Sequence, residues 1–136
     1  MLFAILFMGM LNRVDTLPGG FCKLEEDTMF HEQVVRYPEV APSFPGGEEA
    51  MAKFILKNLH IPTREDVEQP YYASSFPVFF IDTTGKIAKW RFGNNKNPTT
   101  LLDSAMQNVI IKMPKWKPGT CNGVAVPVLF MLPVRL

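Results

Sequence analysis

The chain reads Met113-Pro114-Lys115-Trp116-Lys117-Pro118-Gly119-Thr120-Cys121-Asn122-Gly123 shortly before its C-terminal end. Proline cannot continue a helix, so Pro114 ends the amphipathic pattern that precedes it. An apolar strand pattern follows over residues 124–136. A second stretch, Phe44-Pro45-Gly46-Gly47-Glu48-Glu49-Ala50, stands earlier in the chain at the entry to another amphipathic pattern. The elements that define the fold lie around these two stretches.

Two segments carry apolar residues at the three- and four-residue spacing of an amphipathic helix. The first covers residues 48–59 and ends before Pro62, because the residue preceding a proline disfavours the helical region. The second begins near Thr100, where the spacing to Asp103 resembles a capping box with a shorter acid. The two apolar stripes are Met51, Phe54, Ile55 and Leu59, and Leu102, Ala105, Met106, Val109 and Met113.

A β-hairpin is predicted from residues 76–82 and 86–92, joined by Thr83-Thr84-Gly85. In its second strand, Ala88, Trp90 and Phe92 should face the helices, while Lys89 and Arg91 face water. The first strand is apolar on both faces, so it should be central or covered on its second face. A short strand is also expected within residues 30–37.

The order helix, hairpin, helix, strand predicts an α+β fold, with two helices packed on one face of a three-stranded antiparallel sheet. A chain of 136 residues with 47% apolar content supports one small domain. We expect residues 30–136 to form that domain and residues 1–29 to be an apolar leader and tether. The net charge of +1 argues against nucleic-acid binding.

Taken together, the two stretches resemble the C-terminal domain of the TonB family, in the variant with a Phe-Pro-Gly-Gly entry and a Pro-x-Trp-x-Pro-Gly-x-x-Asn-Gly turn. The resemblance covers about residues 37–136 and includes the order of the elements. Ile61-Pro62 replaces the family's Tyr-Pro, and residues 69–75 replace its Gly-x-x-Gly, which implies a diverged member. The family motif residues are Phe44, Pro45, Gly46, Gly47, Trp116, Pro118, Gly119, Asn122 and Gly123.

The resemblance implies a protein-binding module, not an enzyme. Domains of this family bind the TonB box, an extended segment of an outer-membrane receptor, which adds as a strand beside the last strand. Pro127 removes one backbone N–H from that strand. Homodimerisation through the same edge, or its use by the N-terminal segment, remains the alternative. The corresponding edge-strand residues are Val124, Val126, Val128, Phe130 and Leu132.

Residues 1–11 are entirely apolar except for Gly9. Their number fits the h-region of a signal peptide and falls short of the roughly 20 residues that a membrane-spanning helix needs. A basic n-region and a small-x-small cleavage site are missing, so a truncated gene start or a buried segment of the fold stays open. Export to the periplasm or cell envelope is the resulting expectation. Direct energy transduction by this chain alone is not expected.

The two cysteines, Cys22 and Cys121, are too few for a disulfide framework. An exported chain could pair them, but the sequence favours free, partly buried thiols. A lipobox at Cys22 is disfavoured by the bulky Phe21 before it. His31 and His60 have no serine or cysteine at a recognisable spacing, so neither a catalytic site, a metal site nor a cofactor is expected.

Overall fold

A computed structural model describes residues 22–60 and 74–135. This part of the chain is α+β, with two helices and several antiparallel sheets. The predicted leader over residues 1–11, Ile61-Pro62 and residues 69–73 lie outside the described residues. The elements are β1 Leu24–Glu26, β2 Gln33–Val35, α1 Gly47–Asn58, β3 Ser74–Ser75, β4 Pro77–Ile81, β5 Ile87–Phe92, α2 Leu101–Lys112, β6 Gly119–Cys121, β7 Val124–Val126, β8 Val128–Met131 and β9 Val134–Arg135.

The main sheet has the order β5-β4-β8, with both pairs antiparallel. The predicted hairpin is confirmed, and Asp82 organises its turn by accepting hydrogen bonds from the backbone N–H of Thr84 and Lys86. The prediction that Ala88 faces the helices is wrong. A register shift after Phe80 places Ile87 opposite Ile81, so Ile87 packs against the core while Ala88 is exposed.

Both predicted helices are present, with ends within two residues of the expected positions. Thr100 caps α2, because its side-chain oxygen accepts a hydrogen bond from the N–H of Asp103 at 3.0 Å. Of the two helices, α2 supplies the buried side chains of the core, whereas α1 contributes only partly buried side chains. Neither helix of the described residues has the length and apolar character required to cross a membrane. The fully buried core side chains include Phe79, Ile81, Leu102, Met106 and Val109.

The second face of the sheet is covered by the hairpin of β1 and β2, whose strands pair from Leu24↔Val35 to Glu26↔Gln33. Phe30 and Val34 pack there against Val78 and Phe80 of β4. The prediction that β4 is central or covered on its second face is therefore confirmed on both counts. Residues 22–29, which we expected to belong to a tether, contribute β1 to this layer.

Gly85, in the turn of the main hairpin, lies very close to the backbone of Trp116, and a substitution can test how much this close approach stabilises the fold. This residue has φ of +89°, and a Cβ there would lie 1.8 Å from the carbonyl oxygen of Trp116. Its own carbonyl accepts a hydrogen bond from the Trp116 N–H at 2.8 Å. We expect Gly85→Ala to lower the free energy of unfolding by at least about 2 kcal/mol, because strain and displacement of this contact add. Urea unfolding followed by tryptophan fluorescence measures the loss.

Gly93→Ala is the matched control for this substitution. Gly93 also has a positive φ, +59°, but a Cβ there would have no atom within 4 Å. Only the cost of placing a residue with a Cβ at positive φ remains, so the expected loss in the free energy of unfolding is about 1 kcal/mol. Equal losses for the two variants would contradict the importance of the close approach between Gly85 and Trp116.

Candidate functional site

The two motif stretches meet in the folded chain. Ser43 and Lys117 exchange backbone hydrogen bonds at 3.1 and 2.8 Å, which forms an isolated antiparallel bridge. Next to it, the rings of Phe44 and Trp116 pack edge to face with their centroids 5.9 Å apart. Phe44 also contacts Phe54 of α1 at 5.4 Å between centroids. Through these two contacts, Phe44 holds the Phe-Pro-Gly-Gly entry against the domain.

The Phe-Pro-Gly-Gly entry forms a tight turn ahead of α1. Gly47 N–H donates to the Phe44 carbonyl at 2.8 Å, and both Gly46 and Gly47 have φ near +90°. A Cβ at Gly46 would lie 2.8 Å from the Cβ of Ala50. Glycine at Gly46 is therefore required by the backbone conformation and by the close packing of the first helical turn. Pro45, between these residues, is exposed.

The second motif turns the chain into the last strand. Asn122 and Gly123 have φ of +57° and +78° and connect β6 to β7 as a two-residue loop. Positive φ at both central residues is the geometry for which Asn-Gly is preferred in hairpins. Pro118, just before β6, is half-buried. Gly119 is buried, and a Cβ at this position would lie 2.8 Å from the Val128 side chain. The motif thus has a structural role in positioning the last strand.

The last strand is divided at Pro127. Before it, β7 pairs with β6, from Gly119↔Val126 to Cys121↔Val124. After it, β8 pairs with β4, from Val78↔Met131 to Ile81↔Val128. Pro127 has no N–H, so a continuous ladder cannot pass through it. The strand therefore changes partner where the proline interrupts it.

The outer side of β8 is a strand edge. Leu132 N–H donates to the Pro77 carbonyl at 2.9 Å, so Leu132 and every second residue before it direct their backbone groups toward β4. Because successive residues alternate, the backbone groups of Leu129 and Met131 point away from β4. In residues 22–60 and 74–135, no strand pairs with this side of β8. Met131 is 57% exposed.

One end of this edge is already in contact with the N-terminal hairpin. The N–H of Val35 donates to the Pro127 carbonyl at 2.8 Å, so the carbonyl of Pro127 also points away from β4. The N–H that proline lacks would lie on the same outward side. Leu129 packs against the cluster that contains Phe30 and Val34. Among the described residues, the open edge is consequently restricted to the backbone of Leu129 and Met131.

The hairpin is tied to this region by a disulfide between Cys22 and Cys121, with 6.2 Å between the Cα atoms. The expectation of free thiols is therefore wrong. The two positions are 99 residues apart in sequence, and their pairing was the less favoured of the two alternatives that the sequence left open. The bond packs in a small buried cluster with Val35, Val126 and Val128. Close by, the backbone N–H of Asn122 donates to the Glu39 carboxylate.

The side chains predicted for the edge lie in different surroundings. Val124 is exposed in β7, whereas Val126 and Val128 are buried beside the disulfide. Phe130 is half-buried against Trp116, and Leu132 belongs to the main core. The sequence analysis did not name Leu129 and Met131, whose backbone forms the open edge. The alternation of the strand shows that Leu129 and Met131 point to the same side, but whether that side is open depends on which side of β8 pairs with β4.

The other candidate residues are dispersed. His31 lies in the turn between β1 and β2 with φ of +57°, and His60 follows the end of α1. In the described residues, one group of three potential metal ligands lies within 4.8 Å, and it consists of Cys22, Glu39 and Cys121. The disulfide consumes both of its thiols.

A buried carboxylate joins β3 to α2. Asp103 accepts hydrogen bonds from the Ser75 hydroxyl at 2.6 Å and from the Thr99 N–H and hydroxyl at 3.0 and 3.1 Å. Burial by itself would raise the pKa of Asp103, but these hydrogen bonds to the ionised form outweigh it and lower the pKa below its usual value. The interaction fixes the start of α2 rather than forming a reactive centre.

Stability should therefore depend on the ionisation of Asp103. Since its folded pKa is below its unfolded pKa, the carboxylate stabilises the fold at neutral pH, and this contribution is lost as pH falls through the folded pKa. We expect Asp103→Asn to lower the free energy of unfolding at pH 7 by about 2 kcal/mol. The difference from the unsubstituted chain should shrink below about pH 4.

Urea unfolding between pH 3 and pH 7 tests this expectation. Glu48→Gln is a suitable control, because Glu48 is exposed in the first turn of α1. A difference for Asp103→Asn that stays constant over the whole pH range would contradict the proposed role of the ionised carboxylate.

Comparison with models of known protein families, with curated proteins and with solved structures gave no match.

Proposed function

We propose that this chain is a non-enzymatic protein-binding module of the cell envelope, which captures an extended peptide by strand addition. The observation that carries the proposal is the outer side of β8, where the backbone groups of Leu129 and Met131 point away from β4. Unpaired backbone groups at a sheet edge provide hydrogen bonds for an added strand, and the neighbouring side chains provide selectivity.

The resemblance to the TonB C-terminal domain supports this assignment. Both helices pack against the β5-β4-β8 sheet in one apolar cluster, in keeping with the two-helix, three-stranded arrangement expected from the sequence. The contact between Phe44 and Trp116 brings the two motif stretches together. By analogy with that family, the partner is the TonB-box peptide of an outer-membrane receptor or an extended segment of another envelope protein, and no cofactor takes part.

A periplasmic location is part of the proposal. Disulfides persist in oxidising compartments such as the bacterial periplasm and are rare in the cytosol. The bond between Cys22 and Cys121 therefore favours export, in agreement with the apolar pattern of residues 1–11. Amino-terminal sequencing of the protein recovered from the periplasmic fraction tests whether that segment acts as a signal peptide.

An amide NMR titration of the full chain with TonB-box peptides tests the binding edge. We expect shifts concentrated in β8 and slower hydrogen exchange for the N–H groups of Leu129 and Met131. An unrelated peptide of the same composition in scrambled order is the control for selectivity. Shifts spread evenly over the surface, or confined to the helices, would contradict strand addition at this edge.

Two substitutions at Met131 distinguish the contribution of its backbone N–H to peptide binding from that of its side chain. Met131→Pro removes the outward N–H without removing a hydrogen bond to β4, so peptide affinity should fall by about tenfold. Met131→Thr keeps the N–H and a residue suited to a strand, so affinity should change by less than about threefold. Equal losses in the two variants would indicate that the backbone edge is not the binding element.

The alternative is a structural domain whose edge is occupied by a second copy or by its own N-terminal hairpin. The hydrogen bond from Val35 N–H to the Pro127 carbonyl favours it, because the hairpin already contacts one end of the edge. Light scattering decides whether a second copy is present. A stable dimer that shows no peptide-dependent shifts would support the structural role and reject peptide capture.

A further inference from the structure

A groove lies at the edge of the main sheet formed by β5, the opposite edge from β8, and beside the turn between β1 and β2. Its volume is about 560 Å³, which is within the range of small-molecule sites. The walls come from two parts of the chain that the sequence analysis treated separately. They consist of Met29, Phe30 and His31 from the turn, Lys89, Trp90 and Arg91 from β5, and Lys96.

The groove is strongly basic for its size. Lys89, Arg91 and Lys96 line it, and the residues that the structure describes contribute no carboxylate to its walls. Lys89 is partly neutralised by Glu32, with 2.8 Å between Nζ and the carboxylate oxygen. The Lys96 side chain is exposed and has no ion pair within the described residues. Positive charge from three side chains, of which only Lys89 pairs with an acid within the described residues, favours an anionic group.

Arg91 adds a directional donor. Its two terminal nitrogens are held by the carbonyls of Met29 at 3.2 Å and Asn94 at 2.9 Å. Its Nε is buried and has no hydrogen-bond partner within the described residues. These two carbonyls immobilise the guanidinium, and no carboxylate of the described residues forms an ion pair with it.

The rest of the lining is apolar. The Trp90 side chain packs against the main core on the helix-facing side of β5, so Met29 and Phe30 of the turn form the apolar wall. A fully hydrated inorganic anion would gain nothing from these side chains. A molecule with an anionic head and a compact apolar body would use both parts, because its body removes apolar surface from water while its head pairs with the cations.

We propose that this groove binds a small amphiphilic anion, with a carboxylate or phosphate head near Arg91 and Lys96 and an apolar body against Met29 and Phe30. The site is separate from the outer edge of β8, since β5 and β8 flank β4 on opposite sides. Loss of one activity therefore need not affect the other, and the proposal does not depend on the proposed peptide binding.

Four probes test the site with the full chain. 4-Phenylbutyrate and phenyl phosphate carry both an anionic head and an apolar body, acetate carries only the head, and 4-phenylbutan-1-ol carries only the body. We expect saturable NMR shifts of the Met29 methyl group and the Arg91 Nε–H for one or both amphiphilic anions. Acetate and the alcohol should bind at least about tenfold more weakly. The tighter of the two anions identifies the head group.

Variants assign the response to the basic residues. Lys96→Gln should weaken binding of the preferred anion by about fivefold, since it removes one unpaired cation from the groove. Arg91→Lys keeps the charge but removes the guanidinium that the Met29 and Asn94 carbonyls hold in place, and it should weaken binding at least as much. Lys57→Gln, on α1, is the control and should leave binding unchanged. Lys96 is exposed and forms no ion pair with another described residue, so its variant remains informative if Arg91→Lys does not fold.

The proposal fails if neither amphiphilic anion gives a saturable response at Met29. It also fails if the alcohol binds as tightly as the anions, because the groove would then be an unspecific apolar surface. Equal weakening by Lys96→Gln and Lys57→Gln would mean that general positive charge, not this groove, attracts the probes.

Discussion

Removal of the disulfide between Cys22 and Cys121 is expected to lower the free energy of unfolding by about 4 kcal/mol. The bond closes a sequence separation of 99 residues, and a loop of that length loses much conformational entropy in the unfolded chain when its ends are joined. Net stabilities of small domains are about 5–15 kcal/mol, so the reduced protein should be marginally stable. Urea unfolding with and without a reductant measures the difference.

The double variant Cys22→Ala/Cys121→Ala is the control for this experiment. Its stability should match that of the reduced chain and should not respond to the reductant. A midpoint of unfolding that is unchanged when the unsubstituted chain is reduced would contradict the expected contribution of the bond. Free-thiol counting before and after reduction confirms that the bond was opened.

The loss should begin at the N-terminal hairpin. Without the bond, its main links to the rest of the fold are the packing of Phe30 and Val34, the Val35 to Pro127 hydrogen bond and the ion pair of Lys89 with Glu32. Segments with few buried contacts open at lower free energy than the core. Hydrogen exchange in β1 and β2 should therefore accelerate before exchange in β4.

The second large effect is expected for Trp116→Ala, which should lower the free energy of unfolding by about 3–5 kcal/mol. The Trp116 side chain is only 3% exposed. Its ring makes edge contacts with Phe44, Phe79 and Phe130, with centroids 5.0–5.9 Å apart. Truncation would leave a cavity where the two motif stretches and the main sheet meet. Thermal and urea unfolding both measure the loss.

Two further variants show whether the loss comes from packing. The Trp116 Nε1–H is buried without a hydrogen-bond partner in the described part of the chain, so Trp116→Phe gives up no polar interaction and should cost only about 1 kcal/mol. Trp90→Phe, on the half-buried ring of β5, should cost a similar amount. An unshifted Trp116→Ala variant would contradict the packing of this ring in the core.

Much of the fold could be predicted from local patterns. The stripes of α1 and α2 follow the helical period, Thr100 marks the start of α2, and Gly85 marks the end of the hairpin turn. These signals act over a few residues, so the sequence contains them directly. The placement of Ala88 could not be obtained in this way, because the register shift after Phe80 depends on how two strands fit together.

The candidate site was predictable only in part. Strands were expected over residues 124–132 with Pro127 as an interruption, but a single edge strand was predicted, whereas β7 and β8 belong to different sheets. Which backbone groups remain open depends on the side of β8 that pairs with β4, and this choice belongs to the assembled sheet. The basic groove likewise combines β5 with the turn before β2, which local patterns do not connect.

The sequence by itself determined the two helices, the central hairpin, the stop at Pro114 and the apolar character of β4, because each follows from residue spacing and backbone preference. Only the tertiary structure decided the pairing of Cys22 with Cys121, the covering of the second sheet face by β1 and β2, and the outward direction of Leu129 and Met131. The physical reason is that these features join residues far apart in sequence. Their proximity is created when the whole apolar surface is buried at once, and no short segment encodes it.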